Sequence, residues 1–434
     1  MHKKLLTSIS LFAVLIAAPS FSDHMIAKAK DWKIHVGADV NLQAGSRFQS
    51  KSKTKRKDKD TGEIIRVGPS ANNSDLAFMS AAHAYLGVEN KTKNGLTYGL
   101  RVGLVTSTRG NLPIKDHLGR TYGYFEHNDW GRFEIGTKKG ASFSMQIDGD
   151  EVAAGTGGFN GDWGNYLDLT SYKGPDYEDI EMNSANFTDD TKLVLKDNDN
   201  NFANGEGMRK VTYYTPKYKG FQIGLSYAPD EANKGGNNSS NTPFNSNGPN
   251  RKMKNAFMGG ITYEKQINKK QSFKAALIGE TGALVRSAYD IKAERTFTKN
   301  PVGFDIGAMY TYDKFSIAGS YGDRGKFKYH KQPKLKKTIF YTAGIGYQCT
   351  DKIKTSLTYF HSDNRNKLDI FSVAANYNWL PGVQPYAEVT HVIAKQKYDY
   401  APTDPTKDLT TPKSRSTNVK NKGTVLILGM RFAF

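Results

Sequence analysis

The stretch that decides the fold class is TVLILGMRFAF, residues 424–434. Side chains of an extended strand point alternately to opposite faces, so this stretch has one wholly apolar face and one face that carries Arg431. The apolar face comprises Leu426, Leu428, Met430, Phe432 and Phe434. A strand with a charge on its second face is not buried on both sides, and about ten residues suffice for a tilted strand to cross a bilayer. The stretch therefore predicts a membrane-spanning β-strand.

The same alternation recurs along the chain. From Trp32 to Gln43 apolar and polar residues alternate without a break, over a length that strands of soluble sandwiches rarely reach. Similar patterns cover 96–104, 221–227, 302–310 and 315–321. Sixteen strands are predicted in all, centred near residues 38, 83, 101, 124, 135, 212, 224, 261, 277, 306, 318, 344, 356, 373, 388 and 429.

The connections between these strands alternate between short polar turns and long hydrophilic loops. Examples of turns are 91–95, 128–131 and 217–220, and examples of loops are 50–74, 140–206, 229–253 and 395–422. This alternation is typical of bacterial outer-membrane barrels. The sheet must close, because an open edge in lipid would leave N–H and C=O groups unpaired. We therefore predict an all-β fold, a transmembrane antiparallel β-barrel of sixteen strands that is wide enough to hold an aqueous channel.

The first residues predict an export signal. Lys3 and Lys4 precede a short apolar stretch at 11–18, and small residues follow it, so we expect a signal peptide at 1–22 and a mature chain at 23–434. No stretch approaches 18 apolar residues, which excludes helical membrane spans. The mean hydropathy of −0.60 does not exclude a barrel, since barrel strands carry weak hydropathy.

The chain is strongly basic, with a formal charge of +19 that becomes +17 once Lys3 and Lys4 are removed. Two basic runs, at 51–59 and 324–337, lie between strand patterns. Because neither run contains a nucleic-acid-binding motif, we expect solvated loops that contact anionic lipid or polysaccharide, and no nucleic acid. Cys349 is the only cysteine, so an intramolecular disulfide is excluded.

Several motifs resemble the general diffusion porins of Gram-negative bacteria. The stretches GRTYGYF (119–125) and GRFEIGT (131–137) resemble that family's arginine-led strand, tight turn and glycine-bounded return strand. The stretch VTYYTP (211–216), followed by Gly220 and Phe221, resembles the family's tyrosine and glycine-phenylalanine hairpin. Together with the export signal and the terminal phenylalanine, the resemblance extends over nearly the whole chain.

This resemblance implies an outer-membrane porin through which ions and small hydrophilic solutes diffuse passively. It also implies a homotrimer in the outer membrane of a Gram-negative bacterium, in contact with lipid and lipopolysaccharide. In that family Phe434, with Phe432, would serve as the assembly signal. We expect no catalytic residues, no metal and no cofactor.

The connection at 140–206 stands where porins have a loop that folds inward to narrow the channel. Between residues 141 and 190 it contains eleven acids and one base, Lys173, in a strongly basic chain. A loop of this charge gains from lying inside a basic barrel, and the resulting transverse field would set ion preference. The candidate constriction acids are Asp148, Asp150, Glu151 and Asp162.

Opposing bases would have to point into the lumen. Arg101 lies on the polar side of its strand, and Arg120 matches the arginine that leads the family's fourth strand. Arg209 or Lys210 matches the position before the tyrosine hairpin. We expect these bases to face the acidic loop across a nearly balanced waist, which predicts weak selectivity that tilts toward anions at low salt.

Three alternatives to a general diffusion channel are open: a selective porin, a surface adhesin and an outer-membrane enzyme. A sugar- or phosphate-selective porin would use a run of aromatic residues, which Phe159, Trp163, Tyr166 and Tyr172 could begin. A surface adhesin would use the basic loops to bind polyanions. For the loop acids, calcium binding at Asp148, Gly149, Asp150 and Glu151 is a further possibility, but it lacks a complete ligand spacing. No nucleophile and base occur in a fixed spacing that would indicate an enzyme.

Overall fold

The computed structural model describes residues 32–49, 54–57, 64–67, 74–107, 118–167, 209–230, 252–285, 302–323, 325, 339–363, 366–399 and 416–434. The predicted signal peptide, the second half of the predicted constriction loop and most of both basic runs lie outside these residues. No helix among the described residues is long and apolar enough to cross a membrane.

The described residues form eighteen strands. They are β1 (Lys33–Gln49), β2 (Thr54–Lys57), β3 (Ile64–Val67), β4 (Leu76–Lys91), β5 (Thr97–Ser107), β6 (Leu118–His127), β7 (Gly131–Thr137), β8 (Arg209–Tyr214), β9 (Phe221–Asp230), β10 (Lys252–Asn268), β11 (Gln271–Val285), β12 (Val302–Tyr312), β13 (Phe315–Asp323), β14 (Ile339–Gln348), β15 (Ile353–Asp363), β16 (Asn366–Tyr377), β17 (Val383–Asp399) and β18 (Ser416–Ala433).

Sixteen of these strands form one closed antiparallel barrel, in which each strand pairs with its neighbour in the chain and β1 pairs with β18. Val40 lies opposite Phe432 in this closing pair, and Phe434 exchanges two backbone hydrogen bonds with Ala38. All sixteen predicted strand centres fall within barrel strands, so the predicted fold class is confirmed. The short strands β2 and β3 form a separate hairpin within the first long connection.

The period-two alternation places apolar side chains outside and polar side chains inside. In β12, for example, Val302, Phe304 and Ile306 are exposed on the outer face, whereas Asp305 is buried on the inner face. An exposed apolar band of this kind fits a barrel that contacts lipid. The inner face of each strand therefore determines what lines the lumen.

The connections are short at one end of the barrel, where the chain turns within a few residues at 92–96, 128–130, 269–270 and 313–314. This is called the turn end below. The opposite end carries the longer connections, but β15 and β16 are separated there by only two residues. The predicted loop at 395–422 is shorter than expected, because β17 continues to Asp399 and β18 begins at Ser416.

Candidate functional site

The chain turns into the barrel after β7 and lies against the inner wall as far as residue 167. This segment, the inner loop (138–167), contains helix α1 (Ala141–Met145) and single 3-10 turns at Gly149–Val152, Gly158–Asn160 and Asp162–Asn165. It begins beside β9, where the Ala141 amide donates to Ser226 Oγ at 2.8 Å. It reaches β1, where Gln43 Nε2 donates to Asp162 Oδ2 at 3.1 Å.

Hydroxyl groups of the wall accept hydrogen bonds from the loop's backbone. The Gly149 amide donates to Thr342 Oγ1 at 2.9 Å, the Ala154 amide to Ser356 Oγ at 2.8 Å, and the Phe159 amide to Thr358 Oγ1 at 3.1 Å. A short irregular segment cannot satisfy its own amides, so these side chains remove the cost of burying them. The inner faces of β14 and β15 are thus built to hold a backbone.

A buried glutamate on β17 adds a further contact. Glu388 Oε2 accepts hydrogen bonds from the Thr156 amide and from Thr156 Oγ1, each at 2.7 Å. Its other oxygen accepts from Thr390 Oγ1 at 2.9 Å and from Ser372 Oγ at 3.2 Å. Hydrogen bonds to a carboxylate are stronger than those between neutral groups, so this is a principal polar attachment of the inner loop.

Glycines in the wall let the loop's backbone approach directly. A Cβ atom on Gly344 of β14 would collide with the Gly149 carbonyl oxygen, and a Cβ atom on Gly307 of β12 would collide with the Ile147 carbonyl oxygen. The inner loop therefore packs against these strands at backbone distance, which no larger residue at Gly307 or Gly344 would permit.

The end of the inner loop packs into an apolar core inside the barrel. Phe159 and Trp163 are fully buried against Phe340, Phe360 and Ile427, which project inward from the wall. The indole Nε1 of Trp163 donates to the Phe159 carbonyl at 2.8 Å. Two of the aromatic residues predicted to begin a sugar-binding run are thus buried, and Tyr166 is 6% exposed; Tyr172 lies outside the described residues.

The sequence predicted that four acids project into the lumen, but two of them do not. Asp148 is 9% exposed, and its Oδ1 accepts from the Asp150 amide at 2.8 Å. Burial, with a smaller effect of Glu151, raises the pKa of Asp148 to about 6. Burial and the charge of Asp148 raise the pKa of Asp150 well above its usual value. Asp150 is half-buried, and its Oδ2 accepts from the Asn160 amide at 3.2 Å, so both carboxylates hold the loop's own backbone.

The other two acids lie at different points of the wall. Glu151 is exposed and interacts electrostatically with Lys274 of β11 and Lys354 of β15, which oppose the pKa rise that partial burial causes. Lys354 Nζ also donates to the Ala153 carbonyl at 3.0 Å. Asp162 accepts from Gln43 near β1, as described above. The acids are therefore spread along the loop and do not form one acidic face.

Arg101 and Arg120 lie on the inner faces of β5 and β6, on the side of the barrel away from the loop's apolar core. Arg101 Nη2 lies 3.4 Å from Glu89 Oε2, and this carboxylate also accepts from the Tyr124 hydroxyl. The side chains of Arg101 and Glu89 are 32% and 23% exposed, so both remain accessible inside the barrel. Arg120 is half-buried on the same face.

The two candidates on β8 point in opposite directions. Lys210 is 4% exposed and donates to the Lys138 carbonyl, so it lies inside. Arg209 is exposed on the face that carries Tyr213, which is the outer face. Arg209 was expected to line the lumen. In β8, however, the even-numbered residues face inward, so Arg209 faces outward.

A charged network that sequence reasoning missed continues from Arg101 along the same wall. The Arg132 guanidinium lies 4.1 Å from the centre of the Tyr124 ring, and its Nε donates to Glu134 Oε1 at 2.6 Å. Lys138 Nζ donates to the same carboxylate, and desolvation lowers its pKa although Glu134 opposes the change. The period-two alternation of β7 would have revealed this network, because Arg132 and Glu134 alternate with apolar Phe133 and Ile135.

The lumen thus has two unlike sides, one covered by the inner loop and one lined by paired charges of β4–β7. Among the described residues, no group of three or more His, Cys, Asp or Glu side chains is arranged to hold a metal ion. The calcium alternative gains no support, since Asp148 is buried whereas Glu151 is exposed and interacts with Lys274 and Lys354.

Comparisons with known proteins place this architecture in a family. The sequence profile of the Gram-negative porins matches residues 9–397. An uncharacterized protein of Rickettsia bellii is 30% identical over 474 aligned positions that cover all of both chains, and one of Rickettsia felis is 31% identical, covering 84% of this chain and 86% of its own. The anion-selective porin from Comamonas acidovorans has a similar fold, with a TM-score of 0.53 at 12% identity over 93% of this chain and all of its own. The chain therefore belongs to the Gram-negative porin family.

Proposed function

We propose that the protein forms a water-filled channel in the outer membrane for the passive diffusion of ions and small hydrophilic solutes. The observation that carries this proposal is the partly exposed ion pair of Arg101 and Glu89, inside a barrel too wide to be filled by its own side chains. Charged side chains remain solvated only beside water, so the wall opposite the loop's apolar core is the side along which solutes would pass.

We further propose a weak preference for anions. The sequence predicted four acids at the waist, but Asp148 is buried and Asp150 is half-buried with its Oδ2 accepting from the Asn160 amide, so neither acts as a free charge on passing ions. Glu151 is opposed by Lys274 and Lys354. The preference should fade as salt rises, because exposed charges are screened over about 8 Å at physiological ionic strength.

A sugar-selective channel is less well supported. Such a channel needs exposed aromatic faces along its passage, whereas Phe159 and Trp163 have no exposed surface. Their packing against Phe340 and Phe360 gives them a structural role. No comparable observation favours a surface adhesin that binds polyanions through its basic loops.

Planar-bilayer recording tests the channel directly. We expect stepwise conductance, and across a salt gradient a reversal potential that indicates anion preference at low mean salt and approaches zero at high salt. Absence of conductance from correctly folded protein would refute the channel, and a strong cation preference at every salt concentration would refute the proposed selectivity.

A pair of matched variants tests whether the inner loop lies at the narrowest part. Glu151→Gln should shift the reversal potential in the direction of stronger anion preference, and Lys274→Gln in the direction of weaker anion preference. Each variant removes one charge from the same cluster. Asp351→Gln, which removes an exposed acid at the turn end, serves as the control and should leave the potential unchanged.

The family also suggests that three copies assemble in the membrane beside lipopolysaccharide. We propose a homotrimer, which native mass spectrometry of the detergent-extracted protein would detect. A monomeric mass under conditions that retain bound lipid would contradict it.

A further inference from the structure

Six exposed lysines lie together at the turn end of the barrel, five on three neighbouring turns and one near the end of β10. This cluster, the turn-end lysine patch, consists of Lys217, Lys219, Lys265, Lys269, Lys270 and Lys314. The turns are joined directly, since the Glu264 amide donates to the Gly220 carbonyl at 2.9 Å and the Asp313 amide donates to the Lys270 carbonyl at 2.7 Å. The patch is therefore one continuous surface.

Acids neutralise only part of this charge. Lys217 Nζ lies 2.7 Å from Glu264 Oε2, and Lys270 Nζ lies 3.7 Å from Asp313 Oδ1. The remaining four lysines have no ion-pair partner among the residues that the structure describes; Lys219 Nζ lies 5.3 Å from the centre of the Tyr218 ring. Six lysines against two carboxylates leave four formal positive charges on the patch.

The patch borders a band of aromatic rings on the outer face of the barrel. Phe221 lies 4.6 Å from Tyr263, and Tyr263 lies 6.3 Å from Phe273, measured between ring centres. Lys265 pairs with Phe273 and follows Tyr263 by two residues, so it shares their outward face one step nearer the turn. Tyr312 and Phe315, which flank Lys314, are 52% and 55% exposed.

Aromatic rings on the outside of a membrane protein mark the level of the lipid headgroups. A lysine just beyond them can lay its aliphatic stem along the rings and place its ammonium among the phosphates. We propose that the turn-end lysine patch binds the anionic headgroups of phospholipids in the leaflet at the turn end. An acidic peptide is a poorer fit, because Lys265 lies on the lipid-facing surface and not on a surface directed away from the membrane.

Native mass spectrometry of the full chain refolded in detergent tests this proposal. The probes are phosphatidylglycerol and phosphatidylcholine with identical acyl chains. We expect the wild type to retain more phosphatidylglycerol, and the variant Lys219→Gln/Lys265→Gln/Lys269→Gln/Lys314→Gln to bind it at least about tenfold more weakly, since one lysine near an anionic surface contributes about fivefold. The matched control is Lys33→Gln/Lys91→Gln/Lys93→Gln/Lys352→Gln, which removes the same charge from other exposed sites at the same end.

The control should retain the wild-type preference, as should the variant in which the four patch lysines are arginines. Equal loss in the patch and control variants would overturn the proposal, as would a patch variant that keeps the preference. Patch-dependent binding of a soluble peptidoglycan fragment with free carboxylates, without phosphatidylglycerol binding, would also overturn it. If the fourfold variant does not fold, Lys265→Gln alone should weaken binding about fivefold, and an unchanged affinity would overturn the proposal.

Discussion

At the scale of single residues, burial decides which charges can act on a passing solute. Asp148 and Arg101 were both candidates for the waist, but Asp148 is buried within the inner loop whereas Arg101 keeps 32% of its side chain exposed. A carboxylate without water or a cation beside it favours its neutral form. Asp148 therefore links the stability of the docked loop to pH.

Asp148→Asn should reduce the pH dependence of stability. Because the pKa of Asp148 rises from 3.8 to about 6 in the folded protein, ionisation costs nothing below about pH 4 and about 3 kcal/mol above pH 6. The free energy of unfolding of the wild type should thus fall between pH 4 and 7 by about 3 kcal/mol more than that of the variant. Urea titrations in lipid vesicles measure this difference.

Asp351→Asn, at an exposed acid on the turn between β14 and β15, is the control and should follow the wild type. If Asp148→Asn also follows the wild type at every pH, Asp148 does not couple the docked loop to protonation.

At the scale of elements, the inner loop and the wall of β12–β17 fit each other in both polarity and shape. The wall supplies hydroxyl and carboxylate acceptors such as Thr358 and Glu388, and the loop supplies backbone donors. Gly307 and Gly344 supply the space. The two elements form one packed layer, so displacement of either should be measurable in the channel.

Gly344→Ala should push the inner loop away from β14 and into the lumen. Its Cβ atom would collide with the Gly149 carbonyl and with Val152, and overpacking of this kind costs about 1–3 kcal/mol. We expect a lower single-channel conductance together with a lower free energy of unfolding. Gly123→Ala is the matched control, because the nearest atom to its added Cβ is 3.6 Å away. Unchanged conductance of the folded Gly344→Ala protein would show that the loop does not border the passage.

At the scale of the whole molecule, the barrel depends on the pairing of its first and last strands. β1 and β18 pair with each other, so neither has an unpaired edge. Their pairing extends to the backbone hydrogen bonds between Ala38 and Phe434. An unclosed edge costs several kcal/mol for each unpaired group in lipid, so the closing pair affects assembly more than an equal number of contacts elsewhere.

Deletion of Phe434 should lower the yield of protein in the outer-membrane fraction. The deletion removes both hydrogen bonds to Ala38 and an aromatic side chain that is 79% exposed on the outside. Phe434→Ala keeps the backbone pairing, so it should impair assembly less than the deletion. Quantitative immunoblots of membrane fractions measure both, and an unchanged yield of the deletion would contradict a role of Phe434 in assembly.

The sequence by itself determined the barrel, because alternation with period two is a local property that each strand carries independently. Stretches such as 302–310 and 424–434 show both faces without reference to any partner. The same alternation correctly assigned Arg101 to the inner face, and applied to β7 it would have revealed Arg132 and Glu134. Strand number and the pairing of neighbours followed from counting and from the need for closure.

Only the tertiary structure decided where the inner loop's side chains point. Irregular backbone has no period, so the acid content of 141–190 could not separate buried Asp148 from exposed Glu151. The aromatic residues Phe159 and Trp163 were equally ambiguous, since their burial depends on Phe340, Phe360 and Ile427 from strands far along the chain. Contacts of this range arise from the closed barrel, and no local pattern encodes them.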